Sequence, residues 1–320
     1  MTVSATAPDG VPEVRRGDDL GPLLLATGVE LADGDVVVVT SKVVSKAEGR
    51  VVSGNRDEHL AAETARVVAR RGPTTIVRTH HGLTLAAAGI DNSNVEVGSA
   101  VLLPLDPDAS ARRLRGSLRA LTGRNVGVVV TDTAGRAWRE GQTDIAIGAA
   151  GLLVAEDFAG RVDGHGNELA VTAPAVADEV AGLAELAQGK LGARPFAVVR
   201  GRADLVLAPD DHGPGAASLV RAEGADLFGY GAREAVVRAV GGAPGDALPF
   251  GAPVGADELV DVFDRVLGAR ARVAADGVVV TGATPLVAVL AFAHGWLPDA
   301  SMQGRDRPDG ADQHFISISP

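Results

Sequence analysis

Two aspartates are the first residues in the chain whose type and setting suggest chemistry. Asp91 stands in Gly89-Ile90-Asp91-Asn92-Ser93-Asn94, and Asp132 in Thr131-Asp132-Thr133-Ala134-Gly135-Arg136. An aspartate at a strand end, followed by a hydroxyl and a glycine turn, is well placed to ligate Mg²⁺ beside nucleotide phosphates. That ion is held by one or two carboxylates together with phosphate oxygens and water. An Asx turn at Asp91 and a helix cap at Asp132 explain the same residues without a ligand. Thr40-Ser41-Lys42 through Ser45-Lys46 offers hydroxyls and ammonium groups able to hold phosphate oxygens. A solvated loop is the plainer reading there. Arg136 and Arg139 could clamp a carboxylate or a phosphate bidentately, or form surface ion pairs. Asp178 and Glu179 suit the first turn of a helix, where the helix dipole favours acids. His165, in a glycine-rich loop, reads as a turn residue, and His80-His81 as donors to backbone.

The elements that must position these groups follow from periodicity. Asp18 and Asp19 precede an apolar run from Leu20 to Ala26 that starts like a helix. Val36 to Thr40 is a short β-branched run of buried-strand type, and it delivers the Ser/Lys cluster. Asp57 to Arg71 carries Leu60, Thr64, Val67 and Val68 on one helical stripe, which predicts a helix. Thr74 to Thr79 and Leu83 to Ala88 read as a hairpin. Asp108 to Leu121 reads as a helix, and Asn125 to Thr131 as a strand that ends at Asp132. Pro174 to Gln188 reads as a helix with proline in its first turn, followed by a strand, Phe196 to Arg200. Gly241 to Ala256 is rich in Gly, Pro and Ala and reads as a linker. A helix (Asp257 to Leu267), a strand (Gly277 to Thr281) and an apolar helix (Leu286 to Trp296, with Phe292 and Trp296 in a core) come after it. Gln303 to Asp312, polar and glycine-containing, is expected to be mobile.

Composition narrows the classes. The chain has 320 residues, about two domains' worth. Its 30 Lys+Arg against 41 Asp+Glu give a formal net charge of −11, which opposes a general grip on nucleic-acid phosphates. Aromatics at 3% leave little to stack bases on. With no cysteine, disulfides, zinc–thiolate sites, iron–sulfur clusters and a Cys nucleophile are excluded. No apolar run reaches the ~18 residues of a membrane helix, and MTVSATAPDG lacks signal-peptide character; a soluble cytoplasmic protein without membrane partners is expected. Gly189-Lys190 resembles a P-loop ending, but position 184 is Ala and Leu191 replaces Ser/Thr. GxGxxG, GxSxG and HExxH are all missing.

Five stretches taken together are more specific than any one of them. GDVVVVTSKVVSKAEGR (34–50), THHGLTLAAAGIDNSNVEVG (79–98), LLPLDPDASARRLR (102–115), VVVTDTAGRAWREGQTDIAIGAAG (128–151) and VADEVAGLAELAQGKLGARPFAVVRG (176–201) closely resemble, in wording and order, the coenzyme F420:gamma-glutamyl ligase family. The similarity runs from about Val11 to about Gly229.

The resemblance implies a mixed-sheet α+β fold without a P-loop, an intertwined homodimer, and a ligase domain over residues 1–232. Residues 233–320 then form a small C-terminal α/β extension. Some relatives carry a flavin-binding nitroreductase-like domain there, but only 90 residues follow Tyr230, too few for that fold. The implied reaction joins L-glutamate to F420-0 with GTP, releasing GDP and phosphate through an acyl phosphate, and then adds gamma-linked glutamates. The implied GTP contacts are Val11-Pro12-Glu13-Val14, Ser41, Lys46, Asn94, and the stretch Leu186, Ala187, Gln188, Gly189, Lys190, Leu191, Gly192 and Ala193. One divalent cation (Mg²⁺ or Mn²⁺) would be held by Asp91 and Asp132 and a second by Thr133 and Gln188, with a monovalent cation such as K⁺ as a further cofactor. Arg136 and Arg139 are added here as candidates for gripping the substrate's phosphate or carboxylates. Two other readings stay open: a non-catalytic nucleotide- or coenzyme-binding subunit, and an acyl-phosphate ligase with another acceptor.

Overall fold

The computed structural model describes residues 1–268, 270–274, 277–281, 285–298 and 313–317. The segment expected to be mobile, Gln303 to Asp312, lies outside them. The chain divides into two compact units, residues 1–67 with 76–220 and residues 68–75 with 221–320.

The first unit is built on a five-stranded mixed sheet. Its strands are β1 (Ser4–Thr6), β2 (Val36–Thr40), β8 (Gly127–Arg136), β9 (Arg139–Ala150) and β12 (Phe196–Arg200), in the order β1-β12-β2-β8-β9. Only the central β2–β8 pair is parallel. The valines of β2 explain why it lies at the centre. Val37 and Val39 face one core, shared with α1 (Leu20–Leu25) and α4 (Pro107–Thr122) through Leu24, Leu114 and Leu118. Val36 and Val38 face the opposite core, which is closed by α5 (Val176–Gln188) through Ala177, Val180 and Ala184. A strand buried on both faces reads as a continuous apolar run rather than an alternating one. Each such valine contributes about 1.5–3 kcal/mol by leaving water.

Two sequence expectations change here. The stretch 57–71 is not one helix. A capping box, Asn55 with Glu58, starts α3 (Arg56–Leu60), but the β-branched residues beyond it enter a strand, β4 (Thr64–Arg71). The expected hairpin does form, as β5 (Thr74–Thr79) and β6 (Thr84–Ala86), in antiparallel register. The second change concerns β8, which does not stop at Thr131. It runs on to Arg136, so Asp132 lies within a strand and not at a helix cap.

Helix α4 meets β9 closely. Its Asp108 carboxylate accepts the Ala149 N–H at 2.7 Å, and a Cβ on Gly148 would lie 2.4 Å from the Pro107 carbonyl carbon and oxygen. Backbone cannot yield as a side chain can. Gly148→Ala is therefore expected to destabilise the fold by about 1–3 kcal/mol, read as a lowered thermal midpoint. The unit is completed by α2 (Ser41–Glu48), the short pair β3 (Val51–Ser53) and β7 (Ser99–Val101), and the hairpin β10 (Arg161–Val162) with β11 (Glu168–Leu169). His165 sits in that hairpin's turn, its N–H donated to Asp163.

The second unit holds α6 (Ala232–Gly241), α7 (Ala256–Leu267) and α8 (Pro285–Ala293) with an antiparallel sheet. That sheet contains β13 (Arg270–Ala274), β14 (Gly277–Thr281), β15 (Leu297–Pro298) and β16 (Gln313–Ser317), in the order β13-β14-β16-β15. It has its own core of Leu259, Phe263, Val278, Val280, Val287, Ala291 and Trp296. The stretch 241–256, expected as a linker, is packed instead. Pro249 is buried, and the Phe250 ring lies 5.4 Å from Tyr230 and 5.8 Å from Phe292. Glycine and proline there shape two 3₁₀ turns, Pro244–Asp246 and Leu248–Phe250.

Candidate active site

The parallel pairing of β2 with β8 builds the site. Thr40 is in register with Thr131, so the next residues, Ser41 and Asp132, become neighbours although 91 positions apart. Ser41, the first residue of α2, donates its hydroxyl to Asp132 Oδ1 at 2.9 Å. Burial pushes the Asp132 carboxyl up to about 7. The charges of Asp144 and Asp91 push the same way, against the Ser41 hydroxyl and the Thr133 N–H, which hold it down. A desolvated carboxyl among other acids marks a candidate functional site.

Asp91 forms the Asx turn that its sequence allows, its Oδ1 accepting the Ser93 N–H at 2.7 Å. It also lies 2.6 Å from Lys42 Nζ, which donates to Ser93 Oγ at 2.7 Å. Burial acts upward on Asp91, but the bonds from Lys42 and Ser93 prevail and hold its carboxyl below the usual range. The next turn of α2 carries Lys46, buried, with Glu13 Oε1 at 2.5 Å and the Asn94 carbonyl at 2.9 Å. Thus Glu13, Lys46 and Asn94, from three separate segments, meet at one ammonium. Nearby in the chain, Val14 anchors this first segment in the core, with Val11 packed against it.

On the other side of Asp132, Thr133 donates its hydroxyl to Asp144 Oδ1 at 2.7 Å and accepts from Lys190 Nζ at 3.0 Å. Lys190 also lies 3.4 Å from Glu185. Helix α5 ends at Gln188, whose side chain is buried with its Nε2 unpartnered. The segment 189–193 leaves the helix with positive φ at Gly189 and Ala193; Leu186 in the last turn of α5 and Leu191 beyond it are exposed.

Arg136 and Arg139 are not brought to this cluster. They face each other at the exposed tip of the β8–β9 hairpin, four residues along the strand from Asp132 and so roughly 13 Å away. Arg136 donates to the Glu140 carbonyl at 2.6 Å. Asp178 does more than favour a helix start, since it accepts the Ala146 N–H at 2.8 Å and ties α5 to β9. His80 and His81 bond the Ala62 and Leu105 carbonyls.

The sequence reading placed Asp144 in the polar run from Trp138 to Asp144 without giving it a role, and missed Glu185 and the Lys42–Asp91 pair. The alternation Thr131, Thr133 and the acid Asp144 across one hairpin was the available signal for the first. Counting straight back from the Arg136–Arg139 pair, however, would set Gln142 opposite Thr133. A register shift between Gly135 and Arg136 brings Asp144 there instead.

Among the described residues, no three His, Cys, Asp or Glu side chains converge closely enough to cage a metal. One or two carboxylates with hydroxyl and amide oxygens match the habit of Mg²⁺, which completes its shell with phosphate and water. Asp91 and Asp132 supply carboxylates, and Thr133 and Gln188 a hydroxyl and a side-chain amide, the donor types that two such ions would need.

The chain is thus an α+β protein whose mixed sheet gathers carboxylates, hydroxyls and lysines of anion- and cation-handling type around the start of α2. A family model for F420-0:Gamma-glutamyl ligase matches residues 10–63 and 58–201, and the chain belongs to this family. Coenzyme F420:L-glutamate ligase of Archaeoglobus fulgidus is 41% identical over 223 residues, 63% of this chain and 88% of the relative. The proteins of that name from Methanothermobacter thermautotrophicus and Halobacterium salinarum are 35% identical over 226 residues and 42% over 211. Those matches cover 63% and 58% of this chain, and 90% and 81% of the relatives. Among the described residues, no helix is long and apolar enough to cross a membrane.

Proposed function

We propose that this chain ligates L-glutamate to F420-0 at the expense of GTP and then extends the tail through gamma-linkages. The observation that carries the reading is the convergence of Glu13, Ser41, Lys46, Asp91, Asn94 and Asp132 from four segments around the start of α2. The family description names F420-0, and the names of the relatives give coenzyme F420 and L-glutamate. Lys46 offers an ammonium to phosphate oxygens, and Ser41 a hydroxyl at the helix start. The stretch from Leu186 to Ala193 lines the nucleotide. Asp91 with Asp132, and Thr133 with Gln188, would hold two divalent cations, which supply charge neutralisation on the transferring phosphoryl group.

In this reaction the terminal carboxylate of F420-0 attacks the γ-phosphorus of GTP, and GDP leaves. The glutamate amine then attacks the acyl carbon, loses a proton and expels phosphate, forming the amide. Asp132, which among the described residues meets hydroxyls and other acids rather than a cationic partner, argues against a mere binding subunit. The test incubates the protein with GTP, Mg²⁺, L-glutamate and F420-0 and reads products by mass. A glutamyl adduct formed only with GTP is expected, and a folded protein that forms none overturns the proposal.

All these residues lie before Arg200, and the second unit has its own core. A chain ending near Arg233 is therefore expected to keep ligation and to scatter light as the proposed homodimer. A soluble, dimeric but inactive truncation would show that the later residues complete the site.

A further inference from the structure

We infer that Asp144 is a positioning residue that fixes the Thr133 hydroxyl as a pure electron-pair donor toward a cation. The inference rests on the proposed role of Thr133 at a divalent cation. Asp144 stands opposite Thr133 on β9 and is 6% exposed. Its Oδ1 accepts from Thr133 at 2.7 Å and its Oδ2 from Thr131 at 3.0 Å. Neither bond comes from a cation. The Asp144 N–H is donated to Glu185 Oε2 at 3.2 Å, which holds the backbone at this point to α5.

A hydroxyl has one proton. With that proton committed to Asp144, Thr133 Oγ1 can offer only lone pairs to its other neighbours. Lys190 Nζ, at 3.0 Å, uses that capacity, so the oxygen is already set to receive positive charge. A buried carboxylate retained without a cationic partner is costly unless hydrogen bonds compensate it. Here two threonine hydroxyls do so, and one of them belongs to the candidate cation site. An amide in place of Asp144 would present one N–H₂ group to a hydroxyl. That hydroxyl would have to turn its proton away, and at Thr133 the proton would turn toward the cation.

The experiment is a double-mutant cycle on the full chain, reading free Mn²⁺ by electron paramagnetic resonance as Mn²⁺ alone is titrated in. Asp144→Asn and Thr133→Ala are each expected to weaken binding about tenfold, and the double variant to be no weaker than Thr133→Ala alone. Asp144→Glu, which keeps the charge, should recover part of the loss. Asp144→Ala takes the place of Asp144→Asn in the cycle if the amide variant does not fold. Wild-type Mn²⁺ affinity in the Asp144 variant, or losses that add in the double variant, would overturn the inference. Wild-type affinity in Thr133→Ala would instead sink the cation role of Thr133 and the inference with it.

Discussion

Asp132→Asn should abolish ligation and, in the metal-free protein, make the fold more stable above neutral pH. The first effect follows from losing the negative charge that a carboxylate brings to a divalent cation, which a neutral amide oxygen does not supply. The second follows from linkage. The Asp132 carboxyl titrates near 7 in the fold, chiefly because it is buried, and near 3.8 when the chain unfolds. Between those values the fold binds a proton that the unfolded chain has lost. Stability of the metal-free protein therefore falls as pH rises from about 4 to about 7, and stays low beyond. Asparagine carries no such proton and removes that slope. The gain at pH 8 should be on the order of 2–4 kcal/mol, a tenfold change in proton affinity being about 1.4 kcal/mol. Thermal melts in chelator at pH 5 and pH 8, beside the mass assay, check both parts. Ligation at the wild-type rate would remove Asp132 from the reaction. An unchanged difference between the two melts would mean that its carboxyl is not raised.

Lys46→Ala should weaken GTP binding about ten- to a hundredfold, whereas Lys42→Ala should change it much less. The two lysines sit one helical turn apart on α2, yet their settings differ. Lys46 is buried and gathers Glu13 and the Asn94 carbonyl, while Lys42 is committed to Asp91 and Ser93. A charge-assisted hydrogen bond is worth about 1.5–3 kcal/mol, and 1.4 kcal/mol is a factor of ten in affinity. Calorimetric titration with GTP measures both variants. A larger loss at Lys42 would reverse the two assignments.

Several of these features can be read in the residues alone. The unbroken valines of β2 imply a strand covered on both faces, and the helices named from Leu20, Asp108 and Pro174 form within a few residues of their expected bounds. The motifs around Ser41, Asp91 and Asp132 pointed to one family, and residues 10–201 match its model. The stretch after Leu60 misled because Thr64, Val67 and Val68 satisfy a helical stripe and a strand equally well. Their β-branched side chains favour the strand once a partner is present. The 241–256 stretch misled for a related reason. Glycine and proline mark turns, but whether a turn floats or packs depends on anchors such as Phe250 finding aromatic neighbours.

By itself the sequence determined which groups are available: the acids, hydroxyls and lysines, their order, and the apolar runs that carry them to strand and helix ends. Composition and local periodicity act over a few residues, so they are legible without a fold. The tertiary structure alone decided which of those groups meet. The parallel register of β2 on β8 puts Ser41 on Asp132, and Lys42 and Lys46, one turn apart, reach different partners. A register shift near the hairpin tip brings Asp144 rather than Gln142 to Thr133, while Arg136 and Arg139 stay at the tip. Because side chains alternate along a strand, small shifts in pairing change every partner, and such shifts are set by long-range packing that no local stretch encodes.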